Sequence, residues 1–169
     1  MRLSMMLAWL ALSLIPTMAA AEGKLEPVSV HMEAYKIVVE KDVEHQRPAK
    51  KANPDDVLEY IASYKNNTDH AVNNLMATLP IPEGTIFLPA TSNPKGAQAS
   101  LDGEKYADIP LTRRVQLPSG KWEVQNVPYK EYRSLRWNLQ TLAAGKDKAV
   151  SARVRVAPLE ETSMAKEER

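Results

Sequence analysis

The chain has no cysteine, a single phenylalanine in 169 residues, and only six glycines against twelve prolines. The missing cysteine removes disulfides, thiolate zinc sites, redox dithiols and cysteine nucleophiles together. Any core must therefore hold by packing alone. The shortage of aromatics makes that core aliphatic: beyond the N-terminal segment the chain has one phenylalanine, Phe87, and two tryptophans, Trp122 and Trp137. An excess of charge of either sign is missing too, since 22 Lys+Arg stand against 21 Asp+Glu. No global field then steers the chain to nucleic acid or to a membrane. No Gly-x-Ser-x-Gly, no His-Glu-x-x-His and no phosphate-cradling glycine loop occurs. The expectation is a protein without catalytic activity and without cofactor.

The apolar run that does occur lies at the N-terminus. Arg2 precedes an apolar stretch over residues 5–15, Pro16 breaks it, and Ala19-Ala20-Ala21 follows. Charge, apolar run and small residues in that order make a secretory signal peptide. The run is too short for a spanning helix, which needs about 20 residues. The organisation read from this is a signal peptide over 1–21, a domain over 22–158 and a flexible charged tail over 159–169. Cutting after Ala21 leaves about 150 residues, one domain's worth. It also leaves no second hydrophobic segment as a membrane anchor. The expected localisation is periplasmic or secreted.

Period-2 alternation runs through the mature chain, the pattern of half-buried strands. Val150, Ala152, Val154 and Val156 alternate with Ser151, Arg153 and Arg155. Leu135, Trp137 and Leu139 alternate with Arg136, Asn138 and Gln140, and Ala143-Ala144-Gly145-Lys146-Asp147 reads as the turn of a hairpin-like pair between the two runs. Leu58, Tyr60, Ala62 and Tyr64 form a third run, closed by the turn residues Asn66-Asn67-Thr68-Asp69. Leu75, Ala77, Leu79 and Ile81 form a fourth, and since Pro80 and Pro82 cannot donate to a ladder, it ends at an edge or leaves the sheet there. Asp102-Gly103 signals a two-residue hairpin pairing Leu101 with Glu104 and Ala99 with Tyr106. Leu117-Pro118-Ser119-Gly120 fits a type I turn pairing Val115 with Trp122 and Arg113 with Val124. The first strand changes phase, with Val28, Val30 and Met32 even but Tyr35, Ile37 and Val39 odd, so a bulge or kink is expected near Ala34. The polar stretch 44–56 reads as a loop. Many short strands with regular turns and no sustained helical period give an all-β sandwich or barrel.

Several of these segments resemble a known family. Asn53-Pro54-Asp55-Asp56-Val57-Leu58-Glu59-Tyr60, then Tyr64-Lys65-Asn66-Asn67, then Thr78-Leu79-Pro80-Ile81-Pro82-Glu83-Gly84-Thr85 are similar to the bacterial "conserved repeat" domain. The ending Leu135-Arg136-Trp137 to Gly145, followed by residues 150–156, resembles its last two strands. The resemblance covers roughly residues 35–156. It departs at Pro54-Asp55-Asp56, where the family carries Pro-Gly-Asp, and at Ala144-Gly145, where it carries Pro-Gly. The resemblance implies an immunoglobulin-like antiparallel β-sandwich of Greek-key connection, and it implies no catalytic residue.

Candidate sites are few. His31, His45 and His70 share no ligand spacing, so no metal site is expected. Asp55-Asp56 and Asn66 to Asp69 lack the spaced acidic loop of a calcium site, and turn chemistry accounts for them. The sharpest pattern is basic: paired as a hairpin, the last two runs would turn Arg136, Arg153 and Arg155 outward together. Opposed cations call for interleaved acids such as Glu33 or Glu59, or for an anionic partner. These three arginines are the candidate binding residues. The functional expectation is an exported binding or structural module of the bacterial envelope. Its partner is an envelope protein at a strand edge or an anionic envelope polymer at the arginines, and not nucleic acid. A self-associating assembly accessory and a hydrolase with an unrecognised carboxylate pair are the alternatives.

Overall fold

The computed structural model describes residues 26–158. The signal-peptide and tail readings lie outside these residues. Each apolar alternation becomes a strand because a pleated backbone sends successive side chains to opposite faces. The strands in order are β1 (Val28–Glu40), β2 (Val43–Pro48), β3 (Val57–Asn66), β4 (Val72–Pro80), β5 (Thr85–Phe87) and β6 (Gln98–Ser100), then β7 (Ala107–Asp108), β8 (Thr112–Gln116), β9 (Trp122–Asn126), β10 (Ser134–Leu142) and β11 (Asp147–Val156). A 3-10 turn, Tyr129–Glu131, precedes β10. A five-stranded sheet has the order β2-β1-β3-β11-β5 and a four-stranded sheet the order β4-β10-β6-β7, while among the described residues β8 and β9 pair only with each other. All pairings between these strands are antiparallel.

The two larger sheets share one core, the arrangement of a β-sandwich. Leu58, Ala62 and Tyr64 of β3 and Val150, Ala152 and Val154 of β11 enter it from one sheet. Ala77 and Leu79 of β4, Ala99 of β6 and Leu135, Trp137 and Leu139 of β10 enter it from the other. Burying a side chain such as Leu135 or Val154 contributes about 1.5–3 kcal/mol each. The Trp137 indole N–H donates to Pro94 O at 2.7 Å, so its polar edge is satisfied inside the core. Phe87, Tyr129 and Tyr132 cluster with ring centroids 5.3–5.9 Å apart.

Several expectations are corrected. β10 and β11 do not form a hairpin: the turn between them crosses from one sheet to the other, as does the turn between β3 and β4. Alternation fixes which face is buried but not which strand lies alongside, so both runs bury their apolar face without pairing. No bulge interrupts β1, whose register with β3 is continuous from Val28↔Asn66 to Ile37↔Val57. Its phase change arises because both of its faces carry apolar side chains and neither is fully covered. Part of the expected polar loop is β2, joined to β1 by Lys41 and Asp42 at φ 51° and 62°. Positive φ at both central residues is the mark of a type I′ hairpin.

The two hairpin registers each slip by one. Arg114 lies opposite Val124 and Val115 opposite Glu123. Gly120 N–H donates to Leu117 O and Leu117 N–H to Lys121 O, both at 2.8 Å, with Gly120 at φ 80°. The turn thus closes with an extra left-handed residue, the three-residue loop with a G1 bulge. At the other turn Ala99 meets Ala107, because Ser100 and Asp102 fold the intervening residues onto their own side chains.

Candidate interaction surfaces

The three arginines do not form one face. Because β10 and β11 lie in different sheets, Arg136 sits on the outer side of the four-stranded sheet. Arg153 and Arg155 sit on the outer side of the five-stranded sheet. Arg136 is half-buried: its guanidinium lies 4.1 Å from the Tyr106 ring centroid and donates to Gln98 Oε1 at 2.9 Å. Gln98 in turn donates to Asp108 Oδ1 at 3.2 Å. Arg155 is exposed, between Val57 and Ile86 of the flanking strands, with no carboxylate in ion-pair range among the described residues.

Arg153 is held by two carboxylates. Its Nη1 and Nη2 donate to Glu44 Oε1 and Oε2 at 3.0 and 2.8 Å, a bidentate pair, and its Nε lies 3.6 Å from Glu59 Oε2. The Arg153 hydrogen bond holds the Glu44 carboxyl below the usual glutamate range, and Glu44 in turn raises the Arg153 guanidinium. Glu59 also accepts from Gln46 Nε2 at 2.8 Å and from Ser151 Oγ at 3.2 Å. Of the two acids expected to interleave, Glu59 does so; Glu33 lies instead 3.9 Å from His31. The cationic charge of Arg153 is therefore neutralised within the chain.

This network bears on the strand edge. Glu44 and Gln46 belong to β2, yet their side chains reach inward over β1 to groups on β3 and β11. Ala49 N–H donates to Ala34 O at 2.9 Å, and hydrogen-bonded pairs alternate along an antiparallel ladder. The N–H and C=O of Glu44 and Gln46 therefore point away from β1, along the free edge of β2. Pro48 follows in the same phase, has no N–H, and its C=O already accepts from Lys50 N–H at 3.0 Å. Among the described residues, the main-chain groups of Glu44 and Gln46, whose side chains are drawn off the edge, leave it open at these two positions.

The edges of β4, β5 and β7 are closed or short. On β4, Thr78 N–H donates to the Tyr64 hydroxyl at 2.8 Å and that hydroxyl donates to Thr78 O at 2.7 Å. Pro80, next in phase, has no N–H to offer. β5 has three residues and β7 two. On the inner side of the five-stranded sheet, Val30 and Met32 of β1, beyond the stretch that β2 pairs, and Val43 of β2 are 53%, 44% and 55% exposed. Those values show β1 and β2 extending past the second sheet, whose edge strand β4 packs against β3 and β11.

The remaining candidates resolve into local structure. Asn66 is fully buried; its Nδ2 faces the carbonyls of His70, Leu142 and Ala143, and its Oδ1 accepts from Thr68. Asp56 accepts from Lys36 Nζ at 2.7 Å and from Asn53 N–H. His70 Nδ1 lies 3.0 Å from Asp69, and His45 belongs to β2 rather than to a loop. A cleft of about 470 Å³ lined by Phe87, Ser92, Lys95, Asp108 and Ile109 holds one cation and one carboxylate. That is no pair for acid–base chemistry between two carboxylates.

Sequence reasoning missed Glu44 and Gln46. The signal was there in Val39 and Val43 flanking Lys41-Asp42, which reads as a tight turn between two strands. Compared with family models, curated proteins and solved structures, the chain matches none.

Proposed function

We propose that the chain is an exported, non-catalytic binding module of the bacterial envelope that takes an extended segment of an envelope protein onto β2 as an added strand. The carrying observation is the open backbone of Glu44 and Gln46 on a strand whose side chains are tied back over the sheet. Strand addition draws its affinity from such main-chain groups and its selectivity from alternate side chains. The Arg153 pair is then a positioning device, fixing the edge rather than meeting the partner. A partner bound through an anionic polymer is less favoured, because Arg153 is neutralised and Arg136 is stacked on Tyr106 on the opposite sheet.

An immunoglobulin-like Greek key belongs to the same reading. The β3–β4 and β10–β11 connections each change sheet, as in that class. Two local features favour the "conserved repeat" resemblance. Asp55 adopts φ 65°, the left-handed conformation suited to the glycine of Pro-Gly-Asp, and Gly145 adopts φ 64° before the last strand. Periplasmic or secreted placement follows from the signal-peptide reading of residues 1–21.

The test is Gln46→Pro beside Gln46→Ala. Both remove the contact with Glu59, but only proline removes the outward N–H, and it costs no internal ladder bond. With a photo-crosslinker at residue 43, wild type and Gln46→Ala should label an extended segment of an envelope protein, and Gln46→Pro should lose it. Equal labelling by both variants would sink strand addition at β2.

A further inference from the structure

The β8–β9 hairpin is bonded through its strands to neither of the two larger sheets. Its base is fixed. Val127 N–H donates to Leu111 O at 2.8 Å, Leu111 N–H donates to the Tyr132 hydroxyl at 2.7 Å, and all three side chains are buried. From that base two five-residue strands extend, and the register divides them into two unlike faces. One face carries Arg113, Val115, Glu123 and Gln125. On it Arg113 pairs with Glu131 at 2.6 Å, and Val115 is half-buried.

The other face carries Thr112, Arg114, Gln116, Trp122, Val124 and Asn126, every one of them exposed. Trp122 and Val124 are 58% and 64% exposed, and the Arg114 guanidinium lies 5.4 Å from the Trp122 ring centroid. Among the described residues no carboxylate belongs to this face. Lys121 adds a second exposed cation at the turn.

We propose that this face is a peripheral docking site for an anionic lipid bilayer. Indole, aliphatic side chain and cation together match the interfacial zone of a membrane. There an indole ring sits at headgroup level and basic side chains meet lipid phosphate. Area decides against a folded protein surface as the occupant. Five residues span about 17 Å of strand, and a ribbon two strands wide presents far less than the roughly 800 Å² that a stable protein interface buries on each side. A bilayer imposes no such minimum, and a few anchors suffice for weak, reversible attachment. A neutral glycan would use the indole but neither Arg114 nor Val124. The chain as a whole is close to neutral, so attachment is local, short in range and weakened by salt.

The experiment uses the chain from residue 22 onward, which contains every strand and the whole core described above. Trp122 and Trp137 are its only tryptophans. Trp137 is 2% exposed, so any change in emission on contact with vesicles reports Trp122. Wild type should co-sediment with phosphatidylglycerol vesicles at low salt, with emission shifting to the blue, and should not do so with phosphatidylcholine vesicles. Each cation near an anionic surface contributes about fivefold. Arg114→Glu removes one cation and adds repulsion, so it should weaken binding roughly twenty- to thirtyfold. Trp122→Ala should weaken it and abolish the spectral shift. Gln46→Pro should bind vesicles as wild type does, which separates this site from the proposed strand edge. No binding to phosphatidylglycerol overturns the proposal, as does binding that survives both variants. Trp122-dependent capture of a glycan or protein without vesicle binding overturns it as well.

Discussion

The Tyr64 hydroxyl holds both main-chain groups of Thr78, accepting from the N–H at 2.8 Å and donating to the C=O at 2.7 Å. A side chain from the five-stranded sheet thus occupies the edge of the four-stranded one, where another strand would otherwise pair. Edge strands left open invite association, and such a plug prevents it. Tyr64→Phe keeps the ring in the core and removes the plug. The freed groups lie at a solvent-facing edge, so the expected loss is modest, about 1 kcal/mol in urea unfolding. The sharper expectation is concentration-dependent self-association by light scattering. A variant that loses stability but stays monomeric would show that the hydroxyl stabilises without guarding the edge.

Asn66 joins the two chain crossings. It ends β3, and its Nδ2 donates to His70 O in the β3–β4 turn and to Leu142 and Ala143 O where β10 leaves for β11. Only a donor fits among three carbonyls. Asn66→Asp would set a carboxylate there with nothing to give, in a position with no solvent exposure. The expected destabilisation is about 3 kcal/mol or more. Asn66→Ala, which removes the amide without adding charge, should cost less, about 1–3 kcal/mol. Equal losses from the two variants would show that the carbonyls find other donors. Thermal melts at neutral pH give the comparison.

The contrast between what alternation reveals and what it hides is plain at β10 and β11. Trp137 and Val154 were readable as buried because burial follows period 2, and both are core residues. Their strands were not readable as separate sheets, because a five-residue turn such as 143–147 serves a hairpin and a sheet-to-sheet crossing equally well. The arginine face failed for that reason. Register was hidden at a finer scale: the left-handed Gly120 adds one residue to its turn and sends Arg114 rather than Arg113 across from Val124. β2 was hidden by its composition, since Glu44, His45, Gln46 and Arg47 carry no apolar alternation. Edge strands often carry such charge, so a polar stretch is weak grounds for a loop.

The Glu44–Arg153 pair gives a pH dependence with a definite sign. The Arg153 hydrogen bond lowers the folded-state pKa of Glu44. A carboxyl depressed in the folded state stabilises fully above its unfolded value, and that contribution disappears as pH falls through the folded value. Glu44 should therefore remain ionised below the ordinary glutamate range in a carboxyl NMR titration. Arg153→Ala should return it to that range. The same variant should loosen β2, seen as faster exchange of the Val43 and His45 amides, which face β1. Unchanged titration in Arg153→Ala would mean that the pair does not form in solution.

Asp102 offers the wider pH window. Its Oδ1 accepts from the Lys105 and Glu104 N–H groups at 2.9 and 2.8 Å and from Ser100 Oγ at 2.9 Å, and these bonds lower its pKa to about 2. The group is fully exposed, so its effect falls on the local loop rather than on global stability. The sign is again that of a depressed acid: the loop is held at and above the ordinary value of 3.8, and it is released as pH falls towards 2. The Glu104 and Lys105 amides should exchange slowly near pH 4 relative to their intrinsic rates, and lose that protection by pH 2. Asp102→Asn keeps an acceptor but not the charge, so it should retain part of the protection and remove its pH dependence. Asp102→Ala should lose the protection at every pH. If Asp102→Asn still showed a transition between pH 4 and pH 2, another carboxylate would be controlling the loop. Glu104, the remaining acid in that turn, would be the next residue to change.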